Sequence, residues 1–278
     1  MKKEDERDLK EKANEIRKDT LEMCIKAKTG HVTSSMSCAE ILTVLYPGKI
    51  LNYDSKNPNW DERDRFILSK GQASPILYAT LSNVGFFPKY WLDKFCCSDG
   101  KFGVHLQCDV PGVEFTTGSL GHGLALSAGV ALNAKIDNKK YKTFVLLGDA
   151  ECYEGSIWES AMFIGHHNLN NLVSIIDRNG YGVLCKTENA VKLDPIDEKF
   201  KAFGWDTKTI NGHSIKEVYE ILNDFKQKKR SKPLAIIANT TKGEGIKCMQ
   251  EAKYHGLAPT GNLIDIARKD LDEYSRSK

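Results

Sequence analysis

The 278-residue sequence has no C-x-x-C pair, no apolar run near the roughly 20 residues that span a bilayer, and no strong net charge. Each absence removes a class of function. Lys and Arg number 40 against 37 Asp and Glu, a formal charge of +3, and the two signs are interspersed. That balance lacks the basic footprint of a nucleic-acid binder. The run KQKKRSK at 226–232 reads as a solvated helix end before Pro233. The N-terminal stretch MKKEDERDLKEKANEIRKDT has no apolar h-region, so it is not a secretory signal. Eight cysteines are present at irregular spacings, Cys96 and Cys97 adjacent, which supports neither a zinc ribbon nor a disulfide framework. Free thiols in a reducing compartment are expected. No Pro/Gly/Ser-rich linker and no internal repeat divides the chain. The expectation is a soluble, cytoplasmic protein without membrane or nucleic-acid partners, folded as a single domain over residues 1–278.

Hydrophobic spacing predicts the elements. Leu9, Ala13, Ile16, Leu21, Cys24 and Ile25 follow a 3.6-residue period, giving a helix over 4–28 that Gly30 ends. A second helix is expected over Cys38–Tyr46 before Pro47-Gly48, a third over Ala73–Val84, and a small-residue helix over Gly118–Ala134. Residues 86–117 read as loops and short helices. The apolar runs RFILS (Arg65–Ser69), TFVLL (Thr143–Leu147), LVSII (Leu172–Ile176) and LAIIA (Leu234–Ala238) suit strands buried on both faces. Helical stretches at Ser156–His167 and Ile215–Lys228 alternate with them. The fold class is therefore α/β, a parallel sheet with helices on both faces. The last dozen residues, ARKDLDEYSRSK, read as a solvated terminal helix or tail.

The chemistry-bearing residues stand at strand ends. TFVLL runs into Gly148-Asp149-Ala150 and LVSII into Asp177-Arg178-Asn179-Gly180. Ligands of open parallel sheets bind outside the carboxyl ends of the strands, which places Asp149 and Asn179, thirty residues apart, at one such edge. A carboxylate, an amide oxygen and a backbone carbonyl form a hard-oxygen half-shell suited to Mg²⁺ or Ca²⁺, with phosphate and water completing it. Gly148 permits close approach of phosphates, and the helix near Ser156 is expected to aim its N-terminus at them. Taken alone, Gly-Asp after a strand is an ordinary turn.

The longer stretch GDAECYEGSIWESAMFIGHHNLNNLVSIIDRNGYG resembles the thiamine-diphosphate motif, and Glu154, Gly155, Trp158 and Glu159 give it an E-G-x-x-W-E element similar to transketolases. Further similarity lies in GHVTSSMS (Gly30–Ser37), DRFILSKGQAS (Asp64–Ser74), PGVEFTTGSLGHGLALSAGVAL (Pro111–Leu132), TKGEG (Thr241–Gly245) and Tyr254-His255-Gly256. The chain thus resembles the N-terminal, diphosphate-binding half of the transketolase family, as in split transketolases made of two subunits.

The resemblance implies thiamine diphosphate and Mg²⁺, with Ca²⁺ able to replace it, the cation held by Asp149, Asn179 and the carbonyl of Tyr181. It implies Gly148 and Ala150 against the diphosphate, Gly118 and Leu120 beside the aminopyrimidine, Val183 and Gln72 among the cofactor contacts, and Glu154 near the proton relay and the contact between subunits. It also implies three catalytic histidines, His31 and His105 facing the sugar hydroxyls and carbonyl and His255 near the diphosphate and C2 of the thiazolium. Imidazole suits such work because it titrates near neutrality. His122, His166, His167 and His213 lack that support and are read as structural or surface residues.

Two departures stand out. Gln72 occupies a position where transketolases carry His, and it can donate a hydrogen bond but not a charged one. Thr33 and Ser34 stand where Gly is common. In full-length relatives the pyrimidine-binding domain supplies a glutamate and the arginines for the acceptor phosphate. The resemblance therefore implies a partner, the C-terminal pyrimidine-domain subunit, in an α2β2 heterotetramer. It also implies sugar or sugar-phosphate substrates, and inactivity of this chain alone. Rival expectations are a deoxyxylulose-phosphate synthase-like or 2-oxo-acid dehydrogenase-like subunit, or a non-catalytic cofactor-binding subunit. A nicotinamide dehydrogenase is disfavoured, because Gly118–Gly123 reads G-x-x-G-x-G and follows EFTT instead of a strand.

Overall fold

In the computed structural model, which describes residues 1–277, five parallel strands form one sheet. They are β1 (Arg65–Leu68), β2 (Thr143–Gly148), β3 (Leu172–Arg178), β4 (Asp206–Asn211) and β5 (Leu234–Asn239), in the order β1-β2-β3-β5-β4. The near-continuous apolar strands alternate between two cores. Phe66, Leu68, Phe144, Leu146, Val173 and Ile175 face one side, and Ile67, Val145, Leu147, Leu172 and Ile176 the other. Burial on both faces explains why these strands read as unbroken apolar runs.

Among the described residues ten α-helices accompany the sheet: α1 (Lys3–Ala27), α2 (Val32–Met36), α3 (Ala39–Leu45), α4 (Ser74–Asn83), α5 (His122–Ile136), α6 (Gly155–His166), α7 (Thr187–Ala190), α8 (Ile196–Ala202), α9 (Ile215–Gln227) and α10 (Leu263–Ser277). The first core takes side chains from α1, α2, α3, α4, α9 and α10, and the second from α5, α6 and α8. Every cysteine is a free thiol. Among the described residues no helix is long and apolar enough to cross a membrane.

Two expectations are corrected and one strand is added. The helix predicted over Gly118–Ala134 starts only at His122, because Gly118 and Gly121 hold positive φ angles of 152° and 87° that no helix accommodates. The sequence pattern does not reveal β4, DTKTIN, a polar, half-exposed edge strand paired only with β5. The terminal stretch is not simply solvated: α10 buries Ala267 and Leu271, and the Arg17 guanidinium lies 5.2 Å from the centroid of the Tyr274 ring.

Close packing on the second face sets a first prediction. A Cβ at Gly165 in α6 would overlap the Phe203 carbonyl oxygen, in the turn that leads to Trp205. The Trp205 indole N–H donates to the Ala161 carbonyl at 2.9 Å, pinning that turn to the helix. Gly165→Ala therefore lowers stability by about 1–3 kcal/mol despite alanine's better helix propensity. A thermal melt unchanged or raised in this variant would show that the turn yields freely.

Candidate active site

The carboxyl ends of β2 and β3 lie side by side, with Gly148 opposite Asp177. Asp149 leaves β2 into a short 3-10 turn, Ala150–Tyr153, and Asn179 follows β3 directly. The Asp149 carboxylate is 1% exposed. Its Oδ1 accepts the Ala150 N–H at 2.8 Å, and its Oδ2 accepts the Gly180 N–H at 2.7 Å and the Arg178 guanidinium at 3.0 Å. Burial, together with the nearby Asp177 charge, still pushes this carboxyl above the ordinary range. A buried anion left short of compensation is a natural seat for a cation.

Asn179 completes that seat. Its Nδ2 donates to Asp177 Oδ2 at 3.2 Å, and its Oδ1 accepts the Tyr181 N–H at 3.1 Å. Asp177 only accepts hydrogen bonds, so the amide nitrogen must face it and the amide oxygen must turn the other way. Asp149, Asn179 and the Tyr181 carbonyl then offer one carboxylate, one amide oxygen and one peptide oxygen, a set suited to a hard cation. Among the described residues there is no group of three or more His, Cys, Asp or Glu that would hold a softer metal.

Beneath this edge lies a buried ion pair. Lys70 follows β1, is 1% exposed, and pairs with Asp177. The ammonium also donates to the Ser34 carbonyl at 2.9 Å, and Asp177 further accepts from Ser37 at 2.6 Å and from Thr240. Burial would raise the Asp177 carboxyl, but Lys70 and these hydroxyls bring it below the ordinary range. A third buried carboxylate, Glu151, ties the strand-end loops together. It accepts the N–H groups of Gly121 and Gly148, each at 2.9 Å, and the Ser69 hydroxyl.

Three histidines converge above the same edge. His31 caps α2, and its ring centroid lies 5.7 Å from that of His105 and 5.4 Å from that of His255. Burial and the neighbouring His105 and Lys242 bring His31 down to about 4, so it is neutral in neutral water. Its Nδ1 is buried without a hydrogen-bond partner.

A cavity of about 160 Å³ joins these parts. Of the residues singled out in the sequence, His31, Gln72, His105, Gly118, Leu120 and Gly148 line it, as do Asp149, Ala150, Asn179, Tyr181, Val183 and His255. Glu154 does not: it is exposed and packs beside Gly121. The N-terminus of α6 is also outside the cavity, because the intervening 3-10 turn carries it away and Ser156 donates to the Gly121 carbonyl at 3.0 Å. His213 is not a surface residue, since its Nδ1 lies 3.0 Å from Glu40 Oε2 and its Nε2 accepts the Thr241 N–H. A larger groove of about 1000 Å³ runs along α5 past His122 and Tyr141, but no comparable convergence of charged groups lies in it. Sequence reasoning missed Lys70, Glu151, Asp177 and Lys242; for all but Lys242, the available signal was a charged residue at or just past a buried strand.

The residues present fit an anionic, cation-assisted ligand. The His31 nitrogen awaits a partner, the Asp149 carboxylate is under-compensated, and the buried Lys242 ammonium adds positive charge to the cavity.

Comparison with known proteins agrees. Residues 9–273 match the family described as transketolase, thiamine diphosphate binding domain. The chain is 39% identical over 264 residues to an apulose-4-phosphate transketolase subunit of Phocaeicola vulgatus, covering 92% of this chain and 91% of that one. It is 39% identical over 271 residues to the 6-deoxy-6-sulfo-D-fructose transketolase subunit SqwG of a Clostridium species, covering 96% and 97%. The solved transketolase of Campylobacter jejuni superposes with a TM-score of 0.90 at 31% identity, over 98% of this chain. The chain spans only 43% of the length of that protein. With motif, fold and site in agreement, the chain belongs to the transketolase family and carries its thiamine diphosphate-binding domain.

Proposed function

We propose that this chain, as a single thiamine diphosphate-binding domain, is the N-terminal subunit of a two-chain transketolase that moves a two-carbon ketol unit from a ketose to an aldose. The observation that carries the reading is the single cavity in which Asp149, Asn179, His31, His105 and His255 meet. The two relatives spanned almost end to end are named as transketolase subunits, which supports a partner chain. That partner would be a C-terminal, pyrimidine-binding subunit in an α2β2 assembly, in the cytoplasm.

Thiamine diphosphate, when bound, supplies the electron sink for breaking a carbon–carbon bond beside a carbonyl. The rest falls to the protein. Asp149, Asn179 and the Tyr181 carbonyl would hold Mg²⁺, or Ca²⁺ in its place, and so fix the diphosphate. Gly148 and Ala150 would bring their backbone against it, with Lys242 adding charge. Gly118, Leu120 and Val183 would wall the rings. His31, neutral, and His105 beside it would donate to or accept from sugar oxygens. Glu154, exposed beside Gly121, would serve the contact with the partner and not the cofactor itself.

Gln72 lines the cavity where the family carries His. It is neutral in every state, so Gln72→His adds a donor that can become charged without removing one. The variant retains or gains affinity for thiamine diphosphate; a marked loss on calorimetric titration counts against a diphosphate-side place for Gln72. The function itself is tested by mixing. The chain, its C-terminal partner subunit, thiamine diphosphate, Mg²⁺ and a ketose–aldose pair give ketol transfer only when all are present. Transfer by either chain alone, or by no combination, defeats the reading.

A further inference from the structure

Two buried lysines line the cavity, and they are differently partnered. Lys70 pairs with the Asp177 carboxylate, whereas the Lys242 ammonium meets His255 Nδ1 at 2.8 Å. An ammonium has protons to give and no lone pair, so Nδ1 must be the acceptor. The ring proton of a neutral His255 then resides on Nε2. We infer that Lys242 is a positioning residue which holds His255 as its neutral Nε2–H tautomer, a fixed hydrogen-bond donor in the cavity.

The electrostatic surroundings maintain this arrangement. Burial, the Lys242 charge and His31 bring His255 down to about 3, so an imidazolium does not form beside the ammonium in neutral water. Burial and the Lys70 charge bring Lys242 down to about 8, while Asp149 and Asp177 act in the opposite sense. Lys242 is therefore mostly protonated at pH 7, and it becomes able to accept instead of donate only above about pH 8. His31, edge-on to His255, is neutral at that pH and adds no charge to disturb the pair. A fixed N–H donor suits an oxygen acceptor, either of a phosphate or of a sugar. That last assignment rests on the function proposed above; the tautomer does not.

The test uses the full chain, labelled with ¹⁵N-histidine, by two-bond ¹H–¹⁵N correlation at pH 6.5, with His255→Asn used only to assign the signals. Wild type shows one His255 form, with the proton on Nε2 and a pyridine-like Nδ1, and no titration down to about pH 4. Lys242→Met gives a mixture of tautomers and raises the His255 midpoint by about one pH unit or more, since one of its depressing charges is gone. Lys242→Arg, which still donates, restores the single form. A wild-type ring protonated on Nδ1 overturns the inference, as does a Lys242→Met spectrum and midpoint identical to wild type. Wild type and Lys242→Arg decide the matter even where Lys242→Met fails to fold. The spectra need neither cofactor nor partner, so their failure is separate from failure of the mixing assay.

Discussion

Asp149→Asn is expected to weaken Mg²⁺-dependent binding of thiamine diphosphate by about 100-fold or more, with only a modest cost to the unliganded chain. The two halves of this result have separate causes. Asp149 is the one carboxylate among the three oxygens proposed for the cation, so the substitution removes the charge that draws the ion. In the unliganded chain burial and Asp177 act against that charge, while the Arg178 guanidinium and the Gly180 and Ala150 N–H groups act for it. Its loss does not strand Arg178, whose guanidinium keeps Glu188 at 2.7 Å, Asp194 at 3.0 Å and the Thr187 hydroxyl at 2.6 Å. The Ala150 N–H, the Gly180 N–H and the Arg178 guanidinium all donate to the Asp149 carboxylate, so the amide nitrogen brought by Asp149→Asn must face a donor, and a loss of about 1–3 kcal/mol is expected in a thermal melt of the unliganded chain. Calorimetric titration of the reconstituted pair supplies the other half. Affinity within about threefold of wild type would remove Asp149 from the cation's shell.

The sheet's centre was legible because parallel strands covered on both faces need no polar alternation, and TFVLL, LVSII and LAIIA show none. The edge was not. Asp206–Asn211 has water on much of its surface and one neighbour, so its residues carry the composition of a loop although their backbone pairs with β5. The buried face of the C-terminal helix was hidden for a related reason. A contact that buries Ala267 and Leu271 needs only two small-to-medium apolar residues four apart, which the surrounding charges mask.

In the candidate site, the groups that face the ligand sit in short motifs, and the spacing of Asp149 and Asn179 at two strand ends announces them. The groups that support them do not. Asp177 meets Lys70 across 107 residues and Ser37 across 140. A lysine or an aspartate reads as surface by composition, and only the fold shows that each has a partner inside. His213 illustrates the same limit: its clamp between Glu40 and the Thr241 backbone joins α3 to the loop bearing Lys242, and no local pattern marks it.

Lys70→Met is expected to be the most destabilising of these substitutions, at about 3–5 kcal/mol in the unliganded chain, because it strands a buried carboxylate. Against a total of roughly 5–15 kcal/mol, that is enough to shift a urea transition far towards unfolding. The Ser37 and Thr240 hydroxyls still reach Asp177, but they bring no charge. Removing the carboxylate as well separates stability from function. In Lys70→Met/Asp177→Leu no buried charge is left alone, so the double variant is expected to be more stable than Lys70→Met by itself, with a coupling of about 1 kcal/mol or more in the double-mutant cycle. Binding of thiamine diphosphate should be lost in the double variant, because Asn179 no longer has the acceptor that turns its oxygen outward and the cavity no longer has the Lys70 ammonium. Recovery of stability without recovery of binding would show that the ion pair serves the ligand site. Additive losses would instead make Lys70 and Asp177 independent contributors, each supported by its own hydrogen bonds to Ser34, Ser37 and Thr240.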